Sequence, residues 1–240
     1  MNTKILLLLT SFSLATTIHL QATTISQWTF ETSVPTTAGP HTAETGINPG
    51  SASGFHAGAA VYSNPAGNGS SESWSSDHWA TGDYYQFQVS TIGFDNISIK
   101  WDQAGSATGP RDFILKYSTD GTSFTQMGSG FQISLSDWTT GTFHNGFTFT
   151  PDLSSISLLI ANQTSVYIRL VDNSNVSING TTVATAGTDR IDNFTVSGDS
   201  MAVPDSLPFS FTACFLLGFL IIAHRIPHPG FPLPNTVNRN

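Results

Sequence analysis

Apolar and polar residues alternate with a period of two in short runs along the middle of the chain. Two runs show one clean apolar face each, formed by Tyr85, Phe87 and Val89 and by Val166, Ile168 and Leu170. Successive side chains of a strand point to opposite faces, so these runs predict strands with one buried side. We find no helical periodicity of useful length between residues 23 and 199.

Further runs of the same kind extend this pattern along the middle of the chain. The predicted strands are 25–31, 84–90, 97–101, 113–117, 143–150, 166–170 and 191–197. Asp120-Gly121 marks a hairpin turn, because both of its positions favour positive φ. Many short strands separated by Gly, Asn and Ser turns predict an all-β, antiparallel β-sandwich, jelly-roll-like, over residues 23–199. Its long loops are 32–57 and 63–82.

The two ends of the chain differ from this middle. Residues 1–22 have the form of a signal peptide, with Lys4, an apolar segment over 5–14 and Ala22 before the expected cleavage point. The apolar segment is too short to span a bilayer. Residues 200–206 form a linker that ends in Val203, Pro204, Asp205 and Ser206. An apolar run over 207–225 predicts a single transmembrane helix, closed by the basic residue Arg225, and 226–240 form a tail.

This order of motif, apolar helix and basic residue resembles the PEP-CTERM class of sorting signals, and most closely its VPDSG-type variant. Val203 to Ser206 match that motif, whereas Leu207 stands where the pattern has glycine. The resemblance implies export, processing by an exosortase-type membrane enzyme, and delivery to the cell envelope or extracellular matrix. The alternative is a plain membrane anchor, which keeps the localisation without the processing.

The middle of the chain has a resemblance of its own. Residues 102–125 and 187–194 are similar to jelly-roll domains of PEP-CTERM-type surface proteins, which are in turn similar to carbohydrate-binding and discoidin-like modules. The resemblance implies a binding or structural module and brings no catalytic residues with it.

Composition and charge narrow the range of partners. Charged residues make up 10% of the 240 residues and the net charge is −8. The basic residues of the middle are scattered, namely Lys100, Arg111, Lys116, Arg169 and Arg190. Nucleic-acid binding needs clustered Lys and Arg, so we expect no nucleic acid as partner. The single cysteine, Cys214, lies in the C-terminal apolar run, so no disulfide can join parts of the middle.

The sequence contains no linear catalytic motif, and we expect a protein that is not an enzyme. The histidines of the middle, His41, His56, His78 and His144, are far apart in sequence. A Ser-His-Asp triad could still assemble in space. The alternative function is therefore a secreted β-sandwich hydrolase that acts on polysaccharide.

Two sets of residues are candidates for binding. Trp74 and Trp79 lie in a polar loop and could form an exposed platform that stacks on sugars, or fold back over the sandwich edge. Glu31 and Asp192 lie in the first and last predicted strands, where they could converge on a structural calcium ion. The alternative is two unrelated surface acids. Together these observations predict an adhesive, structural or polysaccharide-binding module, membrane-anchored at least transiently.

Overall fold

The computed structural model describes residues 22–201, which form two antiparallel six-stranded sheets with a shared apolar interior. This confirms the all-β prediction. The strands are β1 Thr23–Trp28, β2 His41–Thr42, β3 Ser51–Phe55, β4 Tyr62–Ser63, β5 Trp74–Ser76, β6 Tyr84–Val89, β7 Phe94–Gly105, β8 Asp112–Ser118, β9 Thr125–Gln132, β10 Thr148–Phe149, β11 Val166–Asp172 and β12 Asp189–Ser200. Helical structure in this range is limited to the 3₁₀ turn Asn145–Phe147 and the single turn α1 Ser157–Ile160.

The two sheets have different strand orders. Sheet A has the order β10-β7-β12-β5-β4, and β1 also pairs with β12. Sheet B has the order β2-β3-β6-β11-β8-β9. On one side β12 pairs with β7, while on the other it pairs with β5 through its first residues and with β1 further along. Its register shifts after Asp192, where Asn193 has a φ of 53°.

Several segments differ from their prediction. The predicted loop 32–57 contains β2 and β3, and β9 lies outside every predicted strand. Two further segments differ as follows. Residues 143–150 were predicted as one strand but form the 3₁₀ turn and the two-residue β10. The predicted loop 63–82 contains the short strand β5, which pairs with both β4 and β12. In both segments the pairing with distant strands decides the structure, and a three-residue strand is too short to show a period.

The core is built mainly from aromatic side chains contributed by both sheets. The rings of Phe87 from sheet B and Phe194 from sheet A stack with centroids 3.5 Å apart and planes 2° apart. Trp28 meets both rings edge-on, at 5.1 and 5.9 Å. All three side chains are fully buried. In a domain without cysteine, aromatic contacts of this kind join the two sheets.

One end of the interior carries buried acids instead. Asp172 at the end of β11 and Asp189 at the start of β12 are fully buried, and one oxygen of each has no hydrogen-bond partner. Desolvation raises the pKa of Asp172 to about 7, and repulsion from Asp83 and Asp112 adds to the shift. Desolvation also raises the pKa of Asp189 well above its ordinary value. These interior carboxyls therefore favour the protonated form.

The predicted terminal features lie outside the described residues. They are positions 1–21 of the signal peptide, the motif Val203 to Ser206, the transmembrane segment 207–225 with Arg225, and the tail 226–240. Within residues 22–201, no helix is both long and apolar enough to cross a membrane.

We expect the free energy of unfolding to fall as the pH rises from about 4 to about 7. A carboxyl with a raised folded pKa stabilises the fold while protonated, and that contribution is lost as pH rises through its folded pKa. Asp172→Asn removes the ionisable group and should raise the unfolding free energy at pH 8 by about 1 to 3 kcal/mol.

Urea unfolding at pH 5 and pH 8 measures both effects, and the exposed Asp137 provides the control variant Asp137→Asn. Equal stability of wild type and Asp172→Asn at pH 8 would contradict the assignment.

Candidate functional site

The outer face of sheet B combines exposed aromatic, amide and basic side chains. Period-two alternation places one set of side chains from β3, β6, β11 and β8 in the core and the other set outside. We call the outer set the sheet B face. Its members are Ser51, Ser53, Phe55, Tyr84, Gln86, Gln88, Ile114, Lys116, Tyr167, Arg169 and Val171. Of these, Ile114 and Val171 are buried, and the others are exposed or partly exposed.

The strand register arranges these side chains in three rows across the four strands. The first row is Phe55, Tyr84, Val171 and Ile114. The second row is Ser53, Gln86, Arg169 and Lys116. The third row begins with Ser51, Gln88 and Tyr167. Residues up to 87 positions apart in sequence, such as Tyr84 and Val171, thus become direct neighbours.

The first row supplies aromatic surface. The rings of Phe55 and Tyr84 stack with centroids 5.1 Å apart and planes 17° apart. Phe55 is 48% exposed, and Tyr84 is partly exposed. Two stacked rings at the surface of a sheet offer flat apolar area beside polar groups, which suits a ligand with both kinds of surface.

Arg169 in the second row is held from several sides. Its guanidinium lies 4.0 Å from the ring centroid of Tyr84 and 3.5 Å from that of Phe124. Its Nε donates a hydrogen bond of 2.8 Å to Oε1 of Gln86. Desolvation lowers its pKa, yet the group remains a cation at neutral pH. The side chain is therefore pre-ordered for a ligand, so less rotamer entropy is lost on binding.

Trp74 and Trp79 do not form an exposed platform, and this prediction is wrong. Trp74 is fully buried in β5, and its ring packs on Phe30, Tyr62 and Tyr85. Trp79 is 5% exposed, and its Nε1 donates to the backbone oxygen of Ser76. The apolar area of an indole ring favours burial once distant strands provide a partner surface.

Glu31 and Asp192 reach the same loop, but they do not form a calcium cage. Oε1 of Glu31 accepts a hydrogen bond of 2.8 Å from the backbone N–H of Glu72. Oδ2 of Asp192 accepts from the N–H of Asn68 and the hydroxyl of Ser70, at 2.9 and 2.8 Å.

Their carboxylate oxygens thus face donors, whereas calcium needs a cage of free oxygen ligands. Residues 22–201 contain no cluster of three or more His, Cys, Asp or Glu able to hold a metal.

A Ser-His-Asp arrangement does assemble in space. Nδ1 of His56 lies 3.0 Å from Oδ2 of Asp83, and Nε2 lies 2.9 Å from Oγ of Ser76. Burial lowers the pKa of His56, which favours the neutral ring. The hydroxyl of Tyr85 lies 2.8 Å from the same Oγ. The side chains of His56 and Asp83 are only 2% and 1% exposed, and Ser76 is 1% exposed. The arrangement thus ties buried segments together and presents no open nucleophile.

Sequence reasoning missed the sheet B face, although a signal was present. The polar positions of β6 and β11 carry Tyr, Gln and Arg, where an ordinary solvent face would carry Thr, Ser or Lys. Larger polar side chains at every second position indicate that this face contacts something other than water. The sequence alone, however, does not show that β6 and β11 are neighbours.

No protein-family model and no curated protein matches this chain. Among solved structures, the K2 cleaved adhesin domain of Lys-gingipain aligns at 14% identity and a TM-score of 0.42, covering 73% of this chain and 97% of that one. The family 11 carbohydrate-binding module of the cellulase Lic26A-Cel5E of Clostridium thermocellum aligns at 13% identity and a TM-score of 0.37, covering 67% and 93%. At these TM-scores we take neither ligand nor activity from the resemblances.

We expect calcium to leave the thermal stability of the protein unchanged. A metal that binds only the folded state would raise the Tm, and the more so the higher its free concentration. Because Asp192 and Glu31 accept hydrogen bonds from the chain itself, a cation would have to displace those donors. Thermal melts with added calcium and with EDTA test this, and a Tm raised by calcium would contradict it.

Proposed function

We propose that this protein is an exported surface module that binds polysaccharide through the sheet B face and does not catalyse a reaction. The observation that carries the proposal is the three-row array of stacked aromatic rings, amides and a pre-ordered arginine on one sheet. Sugar rings have flat C–H surfaces that pack on aromatic faces, and hydroxyl groups that pair with amide, hydroxyl and guanidinium groups. Both kinds of contact are available side by side on this face.

The length of the array also supports a polymeric ligand. Four neighbouring strands at about 4.8 Å spacing give each row a span of roughly 14 Å, enough for more than one sugar ring. The side chains of the second row lie on the outer sheet face and are partly exposed. A site for a single small molecule is usually a closed pocket. A chain lying across β3, β6, β11 and β8 would contact the aromatic row and the polar row together.

Variants of Tyr84 and Gln86 test this proposal. Tyr84→Ala removes a stacking ring and a contact of Arg169, and Gln86→Ala removes the partner of its Nε. We expect each change to weaken binding to the best ligand of a polysaccharide panel by about tenfold, or about 1.4 kcal/mol.

The control is Ser98→Ala on the exposed face of sheet A. Affinity electrophoresis of the full chain measures the effect. If both variants bind as the wild type does, the sheet B face is not the site.

We also propose that the chain is exported and sorted by its tail. The support is the sequence: the apolar segment at 5–14, the motif Val203 to Ser206, and the apolar run that ends at Arg225. Proline disfavours helix in the residue before it, so we expect Pro204 to favour an extended motif that suits a processing enzyme.

Mass spectrometry of the native protein should find an N-terminus near Thr23 and a C-terminus upstream of the apolar run. Cells that lack the exosortase-type enzyme should retain the run. If cells with and without this enzyme both retain the apolar run, the tail is only a membrane anchor.

A hydrolase is the second candidate, and the Ser76, His56 and Asp83 distances are the observation that favours it. Catalysis would require these side chains to become exposed, since a buried hydroxyl cannot reach a substrate. A fluorophosphonate probe that labels wild type and not Ser76→Ala would support hydrolysis. Absence of labelling, together with glycan binding, would favour the module.

A further inference from the structure

The centre of the sheet B face holds two cations side by side. Arg169 of β11 and Lys116 of β8 are directly paired in the strand register. Period-two alternation places both side chains on the outer face, and both are partly exposed. Like charges directly opposite each other in a sheet destabilise it. The pairing of Arg169 with Lys116 therefore lowers the stability of the fold, and it lies at the point where a ligand would bind.

No group of the described chain neutralises this pair. The ion pairs within residues 22–201 involve Arg111 and three histidines, and neither Arg169 nor Lys116 takes part in one. The acid on the same strand as Lys116 is Asp112, which is already bound to Arg111, Gln132 and Ser174. In a chain of net charge −8, two adjacent cations without a partner are an exception that calls for a counter-charge from outside.

The geometry of Arg169 points to the kind of counter-charge. Its Nε is engaged with Gln86, and within the described chain its two terminal nitrogens have no hydrogen-bond partner. A guanidinium held between rings presents those N–H groups in a fixed plane, which matches the paired oxygens of a carboxylate or a sulfate. The ammonium of Lys116 adds a second, less directional charge beside it.

We propose that the ligand of the sheet B face is an acidic polysaccharide, whose carboxylate or sulfate groups bind between Arg169 and Lys116. This inference rests on the proposed function and adds the substrate class to it. The aromatic pair Phe55 and Tyr84 receives the sugar ring in the neighbouring row, while the cation pair receives its anionic group. A neutral polysaccharide would leave the two cations unneutralised.

The test compares ligands that differ only in charge. Polygalacturonate carries free carboxylates, and the same polymer fully methyl-esterified carries none. We expect the full chain to bind the first at least about tenfold more tightly than the second, because the ester cannot pair with the cations. Dextran sulfate against dextran forms a second arm that distinguishes sulfate from carboxylate as the group recognised.

Protein variants locate the effect on this face. Lys116→Gln and Arg169→Gln should each reduce the preference for the charged polymer by about tenfold, and Lys116→Arg should retain it. The control is Lys100→Gln, which removes an exposed cation from sheet A. Since Arg169 also packs on two rings, Lys116→Gln provides the test if Arg169→Gln fails to fold.

The outcomes separate the two proposals. Preference for either charged polymer that is lost in Lys116→Gln supports the inference. Equal binding of charged and neutral polymers overturns the inference and leaves polysaccharide binding intact. A preference that survives both neutral variants also overturns it, because the anion then binds elsewhere. Absence of binding to every polymer overturns both.

Discussion

The stack between Phe87 and Phe194 is the contact on which the rest of the structure depends. It joins sheet B to sheet A in a domain that has no disulfide to do so. Phe87 also fixes which side of β6 faces inward, and a slip of one residue would move every side chain of the strand to the other face. With Phe87 in the core, Tyr84, Gln86 and Gln88 must point outward. The core thus determines the composition of the sheet B face.

The alternation in sequence predicts only some of the strands. It does not show the eight-residue β9, in which small and polar residues give no apolar period. β6 and β11 are each close to their predicted bounds because several positions in a row repeat the pattern. β5 has three residues, all buried, and so offers no alternation at all. The sequence leaves open whether Trp74 is exposed or folds back, because its polar neighbours give no sign of the rings that enclose it.

The candidate site was harder to predict than the strands that carry it. Arg169 and Gln86 are 83 positions apart, and their contact exists only because β11 lies beside β6. Strand order is set by the packing of the whole sandwich, and it cannot be predicted from the alternation in a single sequence. Ser76, His56 and Asp83 show the converse problem. Their spacing in the fold resembles catalytic machinery, but burial among Trp79 and Tyr62 explains the arrangement as a satisfied interior network.

The distribution of charge gives the sheet B face a further property. The net charge of −8 repels a polyanion, and at physiological salt this repulsion extends about one Debye length, roughly 8 Å. An acidic polymer can therefore approach closely only where the local charge is positive. Arg111 is neutralised by Asp112, Arg190 donates to the backbone oxygen of Ala66, and the exposed Lys100 lies on sheet A.

Among the residues that the structure describes, Arg169 and Lys116 are cations that lie adjacent on the outer face of one sheet. The acidic groups elsewhere on the protein repel the polymer, and the two cations attract it. The negative net charge therefore favours binding at this face over binding at other parts of the surface.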